Sequence, residues 1–200
     1  MLNITMIDYG VGNLHSLRKA LEISGANVKV VTDAKELLDA ECLAFPGVGA
    51  FDRTMANLLP YRDEIVRKLS DGTPGIGICI GMQIMMEGSY EGQRPGIGFF
   101  NGRAEMLKAE RIPQMGWNTV VTDDPLMDGI DDRFFYFTHS YYCNATEKEC
   151  IVGTTEYEGV EYPMFFRKKN FVGTQFHPEK SSTSGLRFLK NFVRTAEESL

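Results

Sequence analysis

The apolar residues of this chain fall into two textures, and the switch comes near Ile97. Before it, short apolar runs alternate with stretches of helical periodicity. Ile4-Thr5-Met6-Ile7 predicts a buried strand ending at Asp8-Tyr9-Gly10. Leu14, Leu17, Leu21 and Ile23 mark a helix, with Asn13 as candidate N-cap and Gly25 as its stop. Val28-Lys29-Val30-Val31 and Cys42-Leu43-Ala44-Phe45 predict two more strands, the latter stopped by Pro46-Gly47. Ile65 and Leu69 mark a helix that closes before Gly72-Thr73-Pro74, and Gly75-Ile76-Gly77-Ile78 predicts a strand entering Cys79. Strands separated by helical stretches imply a mostly parallel sheet covered on both faces.

After Ile97 the runs are shorter and aromatic. Phe99-Phe100, Arg133 to Phe137, Cys150 to Thr155 and Phe171 to Gln175 predict brief strands joined by turns. They are expected to extend the same sheet in antiparallel fashion. Leu186 to Val193 predicts a closing amphipathic helix. The expected fold class is therefore α/β, a three-layer α/β/α arrangement. With 200 residues and no repeat, low-complexity tract or long linker, one domain over residues 1–200 is expected.

Composition narrows the function classes. The formal charge of −6 argues against nucleic acid as the main partner, because phosphate binding needs a basic footprint. Met1-Leu2-Asn3-Ile4 lacks the basic start and apolar stretch of a signal peptide, and no window reaches bilayer-spanning length. Cys42, Cys79, Cys143 and Cys150 show no CxxC spacing and no His-Cys cluster suited to zinc. Free thiols in a reducing cytoplasm are expected, with no metal or cofactor and no membrane.

Cys79 is the residue that calls for chemistry. It sits between glycines in Gly77-Ile78-Cys79-Ile80-Gly81, after an apolar run and before a stretch that can begin a helix. A glycine-flanked turn between strand and helix holds a reactive side chain where a substrate can reach it. Such a turn also sets the side chain at a helix N-terminus, whose partial positive charge favours an anion. A cysteine after an apolar strand reads equally as an inert core thiol. Reactivity requires a base and a group to orient that base. His177 and Glu179, two apart in Phe176-His177-Pro178-Glu179, point the same way if the segment is extended. His139 is a second candidate base, and His15 reads as a surface or packing residue. The backbone N–H of Ile80 is a natural oxyanion donor; the Pro46-Gly47-Val48-Gly49 turn, which reads equally as a plain strand-to-helix loop, offers a second from Val48. The early Gly10-Val11-Gly12 lacks the third glycine of a dinucleotide fingerprint, since His15 stands there.

Together these motifs resemble the class I, or triad, glutamine amidotransferases, whose fold is flavodoxin-like. The resemblance rests on Pro46-Gly47-Val48-Gly49, on Gly77 to Gln83, and on Gln175-Phe176-His177-Pro178-Glu179. A finer resemblance is to the glutaminase subunits of imidazole glycerol phosphate synthases. It rests on Asp8 to Asn13, Pro46 to Phe51, Pro113 to Asn118, His139 to Tyr142 and His177 to Ser181, and so covers almost the whole chain. Ile80 and Gln114 depart from the leucine and histidine common at those positions.

The resemblance implies a Cys79-His177-Glu179 triad that hydrolyses glutamine. It implies that Gly49 and Gln83 seat the substrate while Ser140 and Tyr141 hold its amino-acid end. It also implies a partner, a cyclase subunit with a (β/α)8 barrel, that takes up the ammonia. Asn13, Trp117 and Lys180 are then candidates for the shared surface, although a lone tryptophan beside apolar neighbours reads equally as core. Direct passage has a physical reason: in water near neutral pH most ammonia is protonated, and ammonium is not a nucleophile.

Overall fold

The first half of the chain alternates strands and helices as its periodicity predicts. Strand β1 (Asn3–Ile7) is followed by helix α1 (His15–Ile23), β2 (Asn27–Val31) and β3 (Cys42–Phe45). Helices α2 (Phe51–Leu58) and α3 (Arg62–Ser70), strand β4 (Gly75–Ile78) and the short helix α4 (Ile80–Gln83) complete this half. No predicted element covers α2, although Phe51, Met55 and Leu58 recur at helical spacing on its buried face. The computed structural model describes every residue except Val11 and Asn13. Asn13, the expected cap of α1 and an expected interface residue, therefore lies outside the described residues.

The second half contains β5 (Gly88–Ser89), β6 (Gly102–Met106), β7 (Gln114–Thr119), β8 (Val121–Thr122) and β9 (Phe134–His139). It continues with β10 (Tyr141–Ala145), β11 (Ile151–Tyr157), β12 (Val160–Lys168), β13 (Phe171–Thr174) and helix α5 (Ser182–Glu198). The main sheet has eight strands in the order β2-β1-β3-β4-β13-β12-β11-β8. Strands β2 through β13 in that order pair in parallel, and the last three pairings are antiparallel.

The antiparallel extension exists, but three features differ from expectation. Strand β13 joins the parallel part, beside β4. Strand β9, the predicted 133–137 element, leaves the main sheet and pairs with β7 in a two-stranded ribbon, while β10, β6 and β5 form a third sheet. Phe99 and Phe100 form no strand. Successive strand residues point to opposite faces, whereas both of these rings pack against Phe171, with centroids 5.7 and 5.9 Å away.

Alternation along each central strand divides the core in two. Cys42 and Ala44 of β3 face the side covered by α1 and α5, with Leu17, Leu21, Phe188 and Leu189. Leu43 and Phe45 face Phe51, Met55, Ile65 and Leu69 of α2 and α3. Helices therefore cover both faces of the sheet, giving three layers. No helix among the described residues is long and apolar enough to cross a membrane.

Candidate active site

Strands β3, β4 and β13 are parallel neighbours, with Phe45 opposite Gly77 and Thr174 opposite Ile78. Their C-terminal continuations therefore gather at one edge of the sheet: the Pro46 to Gly49 turn, Cys79, and the segment Gln175 to Glu179. Open α/β sheets bind ligands at this carboxyl edge. The strand pairing closes the long sequence gap between Cys79 and His177.

Cys79 is the N-cap of α4, with φ 50° and ψ −110°. A side chain in that region of backbone space costs about 1–3 kcal/mol and persists only where the surroundings dictate it. Here the Cys79 N–H donates to the Thr174 carbonyl at 2.6 Å, and the Cys79 carbonyl accepts from Met82 and Gln83 N–H, each at 3.0 Å. The flanking glycines are required by close approach. A Cβ on Gly81 would lie 1.9 Å from the Phe45 carbonyl oxygen, and one on Gly77 2.5 Å from the Gly81 oxygen. Gly47 has the same role in the site itself: its Cβ would stand 2.8 Å from His177 Cε1 and 3.1 Å from Cys79 Cβ. Cys79 is the partly exposed cysteine; Cys42, Cys143 and Cys150 are buried, and all four are free thiols.

His177 Nδ1 donates to Glu179 Oε1 at 2.7 Å. The pairing arises differently from the expected extended segment. His177 is extended, at φ −102° and ψ 92°, but Pro178 to Lys180 form a 3-10 turn that folds Glu179 back onto the imidazole. Ser181 clamps this turn: its hydroxyl donates to the His177 carbonyl at 2.6 Å and accepts from Tyr136 N–H at 2.9 Å. The side chains of His177 and Glu179 are both buried, and His177 Nε2 and Glu179 Oε2 meet no partner in hydrogen-bond geometry. Burial works against the imidazolium, but Cys79 and Glu179 outweigh it and raise the His177 pKa to about 10. With Nδ1 committed to Glu179, Nε2 is the nitrogen left for the sulfur.

His139 is fully engaged. Its Nδ1 donates to the Tyr141 carbonyl at 2.9 Å, and Nε2 lies 2.9 Å from the Gln114 side-chain amide. Burial lowers its pKa to about 4, keeping it neutral. Neither ring nitrogen is free to act on Cys79.

A cleft of about 300 Å³ opens at Cys79 and is lined by Gly49, Ile80, Gln83, Ser140 and Tyr141, all expected to serve glutamine. Ile80 opens α4, so its N–H belongs to the first turn, where helix geometry provides no intrahelical acceptor. Gly49 has φ +101°, and the neighbouring Val48 packs against the α2-side core. Gln83 departs from a pure substrate role. Its Nε2 donates to the Tyr141 carbonyl at 2.9 Å and to Gln175 Oε1 at 3.0 Å, leaving the amide oxygen as the end available to a ligand.

Two residues missed by sequence reasoning also reach the site. Glu91 lines the cleft and accepts from Phe51 N–H, the start of α2, at 3.3 Å. Burial raises its pKa, and Asp52 adds to this against the hydrogen bond from Phe51. It sits in a polar loop with no periodic signal. Gln175 donates from Nε2 to Cys79 Sγ at 3.3 Å; its place directly before the His177 motif was the available clue.

Beside the site, the β7–β9 ribbon presents an apolar face. Trp117 lies opposite Tyr136, Met115 opposite Thr138, and Thr119 opposite Phe134. Met115 is 66% exposed, Trp117 52% and Phe134 48%. Trp117 is thus outside the core. Its ring meets Tyr136 edge-on at 6.2 Å, and Lys180 Nζ lies 6.0 Å from the Tyr136 centroid. Trp117 and Lys180 therefore share one patch next to Glu179.

The sheet order, the helices on both faces and the cysteine turn at the carboxyl edge define a class of protein. The glutamine amidotransferase class-I family matches residues 5–196, and the chain belongs to it. Among curated proteins it is 46% identical over 200 residues to imidazole glycerol phosphate synthase subunit HisH 1 of Methanococcus maripaludis, covering 95% of this chain and 98% of that one. It is 45% identical to the HisH subunit of Methanocaldococcus jannaschii, with the same coverage. Solved structures share the fold. A putative GMP synthase subunit from Thermoplasma acidophilum has a TM-score of 0.73 at 19% identity, covering 99% of this chain and 95% of that one. PurLQS from Thermotoga maritima gives 0.72 at 16%, covering 97% and 98%.

Proposed function

We propose that this chain is the glutaminase subunit of an imidazole glycerol phosphate synthase. The observation that carries the chemistry is the meeting of Cys79, His177 and Glu179 at one sheet edge, with the imidazole bound to Glu179 at 2.7 Å. The names of the relatives, matched over nearly their full length, support the assignment to that synthase.

In the proposed reaction Cys79 Sγ attacks the side-chain amide carbon of glutamine. Ile80 N–H, and Val48 N–H from the turn after β3, stabilise the oxyanion. As Sγ attacks, its proton passes to His177 Nε2, and the imidazolium so formed, held by Glu179, gives that proton to the departing nitrogen. The C–N bond breaks, ammonia leaves, and a thioester remains on Cys79. Nε2, now neutral, takes a proton from water as the water attacks the thioester carbon; glutamate leaves and Nε2 returns the proton to the sulfur. Glu179 holds the ring orientation throughout. Gly49, Gln83, Ser140 and Tyr141 seat the substrate, and the Glu91 carboxylate pairs with its α-ammonium group.

Ammonia then passes to a (β/α)8-barrel cyclase subunit, which forms imidazole glycerol phosphate and an aminoimidazole-carboxamide ribonucleotide in histidine biosynthesis. The apolar face around Trp117, with Lys180 at its edge, is the proposed docking surface. Exposed aromatics beside a buried triad suit recognition better than stability.

The test is mass spectrometry after exposure to a diazo-ketone mimic of glutamine, with the cyclase present. A single adduct on Cys79 is expected. An adduct on Cys42, Cys143 or Cys150 alone would overturn the assignment.

A further inference from the structure

A chain of side-chain amides leads to the sulfur, and its direction is set from the far end. Gln83 Nε2 makes two contacts, to the Tyr141 carbonyl at 2.9 Å and to Gln175 Oε1 at 3.0 Å. A backbone carbonyl has no hydrogen to give, so Gln83 can present only N–H to it. Turning the Gln83 amide over would set two carbonyl oxygens against each other. His139, donating to the same Tyr141 oxygen, adds a second anchor to that carbonyl. With both Gln83 hydrogens committed, Gln175 must turn its oxygen towards Gln83. Its NH2 then points at Cys79 Sγ, 3.3 Å away. Gln175 is fully buried and Gln83 nearly so. A reversed amide would leave unmatched polar atoms away from water.

We propose that Gln175 is a positioning residue that donates an N–H to the Cys79 sulfur, and that Gln83 and the Tyr141 carbonyl fix the direction of this donor. The proposal rests on Cys79 being the nucleophile and specifies how its sulfur is held. A donor aimed at sulfur stabilises negative charge there and restrains the side chain to one rotamer facing the cleft. The sulfur is then held from β13's carboxyl end by Gln175, two residues before His177.

The experiment is the pH profile of Cys79 alkylation by iodoacetamide, followed by mass spectrometry on the whole folded chain. Gln175→Met removes the donor at nearly constant volume. Its midpoint is expected to move to higher pH by roughly one to two units, the size of one hydrogen bond to a charged group. Gln83→Glu is the decisive companion. An acceptor-only carboxylate at 83 forces the Gln175 amide to reverse and also adds a charge. Gln83→Glu should therefore raise the midpoint more with Gln175 intact than in the Gln175→Met background, where the charge alone acts. The double variant should shift by less than the sum, as residues in one network do. A Gln175→Met profile that superimposes on the wild type overturns the proposal. If that variant does not fold, an unchanged midpoint in Gln83→Glu overturns it alone. Resistance of wild-type Cys79 to alkylation at every pH would instead sink the nucleophile reading itself.

Discussion

The β3–β4–β13 edge and the β7–β9 ribbon lie side by side, yet they are built on opposite principles. At the edge, atoms are so close that three glycines admit no Cβ, and Cys79 is held in a backbone conformation that side chains avoid. On the ribbon, Met115, Trp117 and Phe134 stand in solvent with room to spare. The first region spends stability to place a few atoms, which reactive groups require. The second leaves apolar area uncovered, which the proposed cyclase would bury. In the proposed function, chemistry and recognition occupy adjoining surfaces, joined where Lys180 and Tyr136 meet the His177 turn.

Four predictions bear on that contrast. The largest effect is expected from Cys79→Ala, which should lower glutamine hydrolysis at least about a thousandfold. Its thermal unfolding should stay close to wild type. A large drop in melting temperature with residual turnover would mean that Cys79 is a packing residue. Next is Gly81→Ala, whose Cβ would collide with the Phe45 carbonyl. It should destabilise the chain by about 3 kcal/mol, the upper range for overpacking, and remove Cys79 reactivity; unfolding in urea measures the first.

Glu179→Gln should reduce turnover by roughly a hundredfold or more and change the pH dependence of stability. The His177 pKa is raised on folding, so its contribution is complete below about pH 6.5, the ordinary imidazole value. It is lost as pH climbs towards about 10. Losing the carboxylate should end that window at lower pH. Denaturation series at several pH values would show it, and coincident slopes for the two proteins would count against the pair. The smallest effect on the isolated chain belongs to Trp117→Ala. Its own stability should move by no more than about 0.5 kcal/mol, while binding to the cyclase should weaken by about 1–3 kcal/mol. Unaltered binding would break the contrast on the ribbon side.

Much of the first half was legible because its signals are local. Short apolar runs and helical spacing marked β1 to β4, α1 and α3, and the glycine frame marked the turn at Cys79. The helix α2 was overlooked because polar residues interrupt its short apolar stripe. The second half misled for a different reason. Whether Phe134 to His139 joins the main sheet or forms a ribbon with β7 is a choice between partners distant in sequence, and both options carry the same alternation. Phe99-Phe100 looked like a strand because two aromatics favour one, yet both rings were recruited by Phe171.

The residues of the site were mostly readable, since Cys79, His177, Glu179, Gln83, Ser140 and Tyr141 all lie in short recognisable segments. Their relations were not. That Gln83 spends its N–H groups on Tyr141 and Gln175, that His139 is occupied and neutral, and that Glu91 reaches the cleft all follow from packing across the sheet edge.

The sequence by itself determined which residue types were available and where the chain must bend, because glycine and proline constraints act within a few bonds. Tertiary structure alone decided that Cys79 and His177 meet, that Glu179 folds back through a turn, and that Trp117 faces outward. The physical reason is that strand order and sheet membership are settled by long-range pairing and burial, and no local signal in the chain encodes which distant edge a strand will choose.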